Sequence, residues 1–232
     1  MRICLFADIH GNGPAFRSAY PMLISEKADL NIFLGDLCGY YFDQSEIFEM
    51  LKDIPNLISI KGNHDQVFLK IVNGEEDCRR DYLKRYGRSM ENLLYENNSA
   101  LIQWLSDLPE TFLSADPDIA GYHGSPQNNM DGYVYPDSPL DAFQYYMSSV
   151  FILGHTHYPM VRSIGAKLLI NPGSLGQPRQ GGWPSYAVFN YRSKEVMFKD
   201  VVYDRAELIK SIDDAGDNNP YLRQVLARHD NA

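Results

Sequence analysis

The sequence predicts an α/β protein in which two β-sheets pack together. Apolar runs alternate with helical patterns up to about residue 60, which implies βαβ units with parallel pairing. Beyond about residue 110 the chain turns rich in short strands, enough for a second sheet. Residues 2–7 (RICLFA) form the first strand and end at Asp8-Ile9-His10-Gly11-Asn12. A helix is expected from Pro14 to Lys27, because Phe16, Ala19, Tyr20 and Leu23 recur at three- and four-residue steps. Residues 30–34 are the second strand, ending at Gly35-Asp36; 44–53 are a helix stopped by Pro55; 57–60 run into Gly62-Asn63-His64-Asp65. From 66 to 108 the pattern is charged and helical, either a cap beside a site or helices covering one sheet face. Strands are then expected at 111–115, 119–122, 150–153, 160–163, 167–170, 185–191 and 195–202, with a helix at 137–148. A terminal helical region over 205–229 is broken near 216–220. No repeat, low-complexity tract or Gly/Ser-rich linker divides the chain, so one domain over 1–232 is the economical reading.

Composition narrows the function classes. The 232 residues carry 30 Asp and Glu against 21 Lys and Arg, a formal net charge of -9. That balance argues against duplex nucleic acid as a partner, since counterion release needs clustered Lys and Arg. No apolar run is long enough for a membrane span, and the stretch before Asp8 is too short for a signal peptide. Cys4, Cys38 and Cys78 are odd in number and lack CxxC spacing, which suggests neither a disulfide framework nor a thiolate zinc site. A reducing cytoplasm is the expected location. Cys38, two residues after Asp36, is read as a small buried residue and not as a ligand.

The histidines carry the chemistry. His10, His64, His123, His155 and His157 each follow an apolar run directly, and only His229, in the terminal helix, does not. One such histidine is usually structural; five at strand ends beside Asp8, Asp36 and Asn63 point to a shared metal site. In parallel sheets ligands sit outside the carboxyl ends of the strands, where these clusters fall. Imidazole, carboxylate and carbonyl oxygen suit divalent Mn, Fe, Ni or Zn. Asp8 and His10, like His155 and His157, are two apart and would share a face on an extended chain. Two metals ~3.5–4 Å apart need a bridging ligand, and Asp36 is the natural carboxylate for it.

The series Asp8-Ile9-His10, Gly35-Asp36, Gly62-Asn63-His64-Asp65, His123-Gly124 and Gly154-His155-Thr156-His157 resembles the calcineurin-like metallophosphoesterase superfamily. Asn171-Pro172-Gly173-Ser174 followed by Gly176-Gln177-Pro178-Arg179 resembles its small bacterial phosphodiesterase-like branch. The resemblance implies a four-layer α-β-β-α sandwich, here with a helical insertion around 66–108, and two divalent ions, manganese before iron, nickel or zinc. It places Asp8, His10 and His157 on the first metal and Asn63, His123 and His155 on the second, with Asp36 bridging. His64 would not ligate metal but would face the phosphoryl oxygen and the leaving group.

The function so implied is hydrolysis of small phosphate esters, foremost phosphodiesters, by in-line attack of a metal-bridging hydroxide, with His64 as imidazolium stabilising charge or protonating the leaving oxygen. A nucleotidase, a dinucleoside-polyphosphate hydrolase and a non-catalytic metal-binding scaffold are the alternatives. Two divalent ions would add about four positive charges where Asp8 and Asp36 point, so an acidic protein still presents a cationic site to phosphate. The protein Ser/Thr phosphatase branch is excluded, because neither a second Asp nor an Arg follows Gly35-Asp36, and no Arg lies within 66–70. Those missing arginines leave Arg179 as the candidate phosphate anchor, its planar fork matching a phosphate edge. The carboxylate that would orient His64 is not identified. Tyr40, Tyr41, Tyr122, Tyr158 and Trp183 lie near the motifs as candidates for stacking on a base or aryl group.

Overall fold

Alternation along β1 (Arg2–Phe6) explains how the two sheets meet. Ile3 and Leu5 face one apolar cluster and Cys4 and Phe6 another, and all four are fully buried. In this computed structural model, which describes residues 1–227, β1 is the middle strand of a five-stranded sheet. It pairs in parallel with β2 (Leu30–Phe33), which pairs in parallel with β3 (Leu57–Ser59). On its other side β9 (Ser185–Asn190) and β10 (Val196–Asp200) complete the sheet antiparallel, in the order β10-β9-β1-β2-β3. The second sheet is β4-β5-β6-β8-β7, built from β4 (Thr111–Ala115), β5 (Asp118–Tyr122), β6 (Val150–Leu153), β7 (Met160–Ile164) and β8 (Lys167–Asn171).

Between the sheets lies an apolar layer that includes Ile3, Leu5, Ile32, Leu34, Ile119, Val150, Ile152, Ile170 and Phe189. The outer face of the first sheet is covered by helices. Phe16, Ala19 and Leu23 of α1 (Gly13–Ser25) and Ile47 and Leu51 of α2 (Gln44–Lys52) pack there against Cys4, Phe6 and Phe33. The 66–108 segment forms α3 (Asn63–Val72), α4 (Glu76–Tyr86), α5 (Ser89–Glu96) and α6 (Ser99–Asp107). Phe68, Met90, Leu93, Leu101 and Leu105 sink into the same cluster, while Tyr82 and Tyr86 of α4 reach the site described below. The insertion therefore covers the sheet and also flanks the site. Two further helices, α7 (Arg205–Asp214) and α8 (Pro220–Ala227), are separated at Gly216, whose φ is +62°. His229 lies outside the described residues.

The outer face of the second sheet differs from expectation. No α-helix forms over 137–148; a 3₁₀ turn spans Asp141–Tyr145. Pro136 and Pro139 interrupt the approach, and Leu140 and Phe143 reach the core at an i, i+3 spacing, which the tighter helix satisfies in one turn. Among the described residues, no helix is long and apolar enough to cross a membrane.

Register levels the strand ends. Phe6 pairs with Phe33 and Phe33 with Ser59, so the polar segments after β1, β2 and β3 emerge side by side. In the other sheet Tyr122 pairs with Leu153, which brings His123 beside the segment carrying His155 and His157.

The cysteines follow from this packing. Cys4 and Cys38 are wholly buried, burial pushes the Cys4 thiol up to about 12, and Cys38 is pushed well up for the same reason. A raised thiol pKa leaves Cys4 only ~10⁻⁴ thiolate at pH 8. Titration of the native protein with an aromatic disulfide at pH 8 is expected to modify Cys78 alone, the only partly exposed cysteine, and all three after denaturation.

Candidate functional site

The converging side chains do not come from extended backbone. Asp8, His10, Asp36, His155 and His157 all adopt the left-handed region, with φ of 55°, 51°, 61°, 64° and 62°. The expected two-residue periodicity of a strand is thus corrected: β1 and β6 end before these residues, and left-handed turns aim the side chains inward. Such conformations cost about 1–2 kcal/mol per residue and persist where the surroundings enforce them. Here the surroundings are a lattice of backbone hydrogen bonds. Asp8 N donates to Gly35 O (3.0 Å), His10 N to Asp36 O (3.0 Å) and Gly11 N to Leu37 O (2.9 Å). The Asn171–Ser174 turn closes the opposite side: Asn171 Nδ2 donates to Gly154 O (2.7 Å) and Ser174 Oγ to Asp8 O (2.7 Å).

Asp65 fixes the middle of the site. Its carboxylate accepts the backbone N–H groups of Asp36 (2.9 Å), Cys38 (2.9 Å) and Gly62 (3.0 Å), tying the β2 and β3 ends together. Burial and the nearby Asp36 charge push this carboxyl up to about 6, against the pull of those donors. Gly62 is obligatory at this crossing, because a Cβ there would stand 2.1 Å from Asp36 Oδ1. Asp65 therefore holds loops and does not orient His64. Among the described residues no group hydrogen-bonds the His64 Nδ1 atom, which is buried.

The imidazole tautomers are set by the backbone. Nδ1 of His10 donates to Cys38 O (2.9 Å), that of His157 to Gln177 O (2.6 Å) and that of His123 to Leu34 O (2.8 Å). Each ring therefore turns Nε2 towards a common centre, the arrangement by which backbone carbonyls orient metal-ligating histidines. Burial pushes His10 and His157 well down, so both are neutral, and their Nε2 lone pairs face each other at 3.1 Å. Asp8 Oδ1, 3.6 Å from His157 Nε2, is buried with no hydrogen-bond partner. Electron-pair donors held this close are repulsive unless a cation lies among them. Ligand atoms ~2.1 Å from one ion and at right angles stand about 3 Å apart, so the spacing fits.

A second set adjoins the first. His123 Nε2 lies 3.3 Å from Asp36 Oδ2 and 3.0 Å from Asn63 Oδ1, and His155 joins Asp36 and His123 within 4.8 Å. Burial disfavours a charged His123, but Asp36 outweighs it and raises the group to about 10; its proton stands where a cation would neutralise the same oxygens. Asp36 Oδ2 is also 3.6 Å from His10 Nε2, so this carboxylate touches both sets. The described residues thus offer Asp8, His10 and His157 for one ion and Asn63, His123 and His155 for another, with Asp36 between. His64 also comes within 4.8 Å of His10 and Asp36. Cys38 is in none of these groups.

Comparison with known proteins shows the family. The profile of the calcineurin-like phosphoesterase superfamily domain matches residues 1–194. The chain belongs to the calcineurin-like phosphoesterase superfamily. An uncharacterized protein of Methanocaldococcus jannaschii is 29% identical over 228 residues, covering 87% of this chain and 88% of its own. A metallophosphoesterase from Sphaerobacter thermophilus is 25% identical and superposes with a TM-score of 0.81 over 98% of this chain and 100% of its own. A hypothetical protein from Pyrococcus horikoshii OT3 shares the fold at a TM-score of 0.83 and 20% identity, over 97% of each chain.

Around this site stand aromatic residues that, apart from Tyr40, local motifs did not flag. The His64 ring contacts Tyr40 at 4.8 Å and Tyr82 and Tyr86 at 5.8 Å each. Tyr221 of α8 stacks on Tyr40 at 5.5 Å and bonds Gln177 Oε1 (3.3 Å), although it lies beyond the family match. Tyr133 lies 4.3 Å from His155. Of the stacking candidates read near the motifs, Tyr40 contacts His10 (4.4 Å), but Tyr41 and Tyr122 are buried in apolar clusters. Trp183 packs on Tyr203 and Arg205, and Tyr158 contacts Tyr135. Arg179 has a buried Nε without a hydrogen-bond partner, and its charge acts on Asp8, His64, His155 and His157.

Proposed function

We propose that this protein is a dinuclear-metal phosphoesterase that hydrolyses small phosphodiesters. The observation that carries the reading is the facing pair of neutral His10 and His157 Nε2 atoms beside the orphaned Asp8 Oδ1 in a buried setting. When bound there, two divalent ions would neutralise the phosphoryl oxygens and lower the pKa of a bound water towards ~7. The donor set has no thiolate, which suits manganese, iron, nickel or zinc.

The chain's own residues supply the rest. Arg179 is the arginine whose charge reaches the site among the described residues, and one guanidinium matches a monoanionic diester better than a dianionic monoester. His64 would hand a proton to the leaving oxygen. Burial lowers its pKa and the Asp36 charge opposes that, and a substrate phosphoryl group adds further negative charge beside the ring. Tyr40, Tyr82 and Tyr86 wall the ring and keep water from it.

The test is a panel of metals and substrates on chelated protein, with bis(p-nitrophenyl) phosphate preferred over p-nitrophenyl phosphate once manganese is restored. No metal-restored hydrolysis of any ester would favour the scaffold alternative. His64→Ala is expected to lower kcat by about 10²–10⁴-fold with bound metal unchanged by elemental analysis. Loss of metal from that variant would make His64 a ligand instead.

A further inference from the structure

The loop between β5 and β6 carries an aromatic pair at the edge of the site, exposed Tyr133 and half-buried Tyr135. Tyr133 and Tyr135 stack nearly parallel, 15° apart with centroids 5.7 Å from each other. Between them Val134 is buried in the cluster outside the second sheet and anchors the segment. The preceding turn is tied internally, with Gly124 N donating to Asn129 O (2.7 Å) and Gly132 N to Asn128 O (3.1 Å). Tyr133 also lies 4.3 Å from His155, and Tyr135 contacts Tyr158, next to His157. Yet Tyr133 remains 53% exposed. A large ring fixed against a candidate metal ligand, but left half in water, gains most when a flat group covers it.

The geometry points to Tyr133 as a stacking platform that selects phosphate esters bearing a flat aromatic group, a nucleobase or an aryl ring, over alkyl esters. This rests on the phosphoesterase reading, since it assumes that the phosphoryl group sits between His155 and Arg179. With the phosphate so placed, an aromatic substituent one ester linkage away extends the Tyr133–Tyr135 stack by a third ring. The aromatic residues around His64 are different ones, Tyr40, Tyr82 and Tyr86, and of these Tyr40 and Tyr82 are already buried. Tyr133 is the most exposed of these rings and has surface left to offer.

The experiment is calorimetric binding of thymidine 5′-monophosphate, phenyl phosphate and methyl phosphate to the manganese-loaded protein. Wild type is expected to bind at least one aromatic ester about tenfold more tightly than methyl phosphate. Tyr133→Ala should erase that difference and leave methyl phosphate affinity unchanged, whereas Tyr133→Phe and Tyr133→Trp should retain it. Tight binding of both aromatic esters assigns a general aromatic platform, and of the thymidine ester alone a nucleobase site. Equal affinity for all three ligands in wild type, or an equal loss for all three in Tyr133→Ala, would overturn the inference. Selective binding without hydrolysis of any ester would instead defeat the catalytic reading and leave the platform standing.

Discussion

Asp36→Asn is expected to lower the metal bound per chain relative to wild type and to lower phosphoester hydrolysis by about 10³-fold. The reason is the number of acceptors the side chain must supply. Asp36 Oδ1 accepts the backbone N–H of His64 at 2.8 Å, while Oδ2 lies 3.6 Å from His10 Nε2 and 3.3 Å from His123 Nε2. An asparagine of the same shape has one oxygen. Kept on the His64 N–H, that oxygen leaves an amide nitrogen, with no lone pair to donate, pointing at both metal sets. Turned the other way, the amide meets the His64 N–H with its own hydrogens. Elemental analysis alongside kinetics checks this, and full metal content with an unchanged rate would refute the bridging assignment. Thermal unfolding of the metal-free variant separates loss of metal from loss of fold.

Asp65→Ala is expected to destabilise the metal-free protein by about 3–6 kcal/mol, a fall in Tm of roughly 10 °C or more. Three buried N–H groups, on Asp36, Cys38 and Gly62, share this one carboxylate, and alanine leaves all three without an acceptor. Each buried, unsatisfied donor costs about 1–3 kcal/mol. The same loops carry Asp36 and Asn63, so metal affinity should weaken in parallel although Asp65 belongs to neither ligand set. Denaturant unfolding of wild type and variant in chelator measures the first effect, and metal titration the second. A variant as stable as wild type would show that water replaces the carboxylate.

Much of the candidate site was legible because metal chemistry constrains residue type and short spacing. Imidazoles, carboxylates and an amide placed directly after apolar runs can be read without a structure, as can the βαβ order that gathers strand ends. The local geometry was less accessible. Asp8 with His10 and His155 with His157 were expected to share a face on extended chain, whereas all four are left-handed. Spacing by two does not encode that turn; at Asp8 and His10 it is held by hydrogen bonds to the Gly35 and Asp36 carbonyls and from the Ser174 hydroxyl, all distant in sequence. The sequence assigned Asp65 no role, and it is a clamp for three backbone donors. The helix expected at 137–148 failed where two prolines and an i, i+3 apolar pair favoured a 3₁₀ turn.

The sequence by itself determined the α/β class, the two sheets and the order of the candidate donors along the chain, since periodicity and residue type are local properties. Only the tertiary structure decided which lone pairs face one another, that Asp36 touches both sets, and that Tyr82, Tyr86, Tyr133 and Tyr221 surround the site. Those four tyrosines come from segments with no motif of their own. Sheet register and helix packing bring them to the site, and such long-range placement depends on how the whole core closes and leaves no mark on the neighbouring residues.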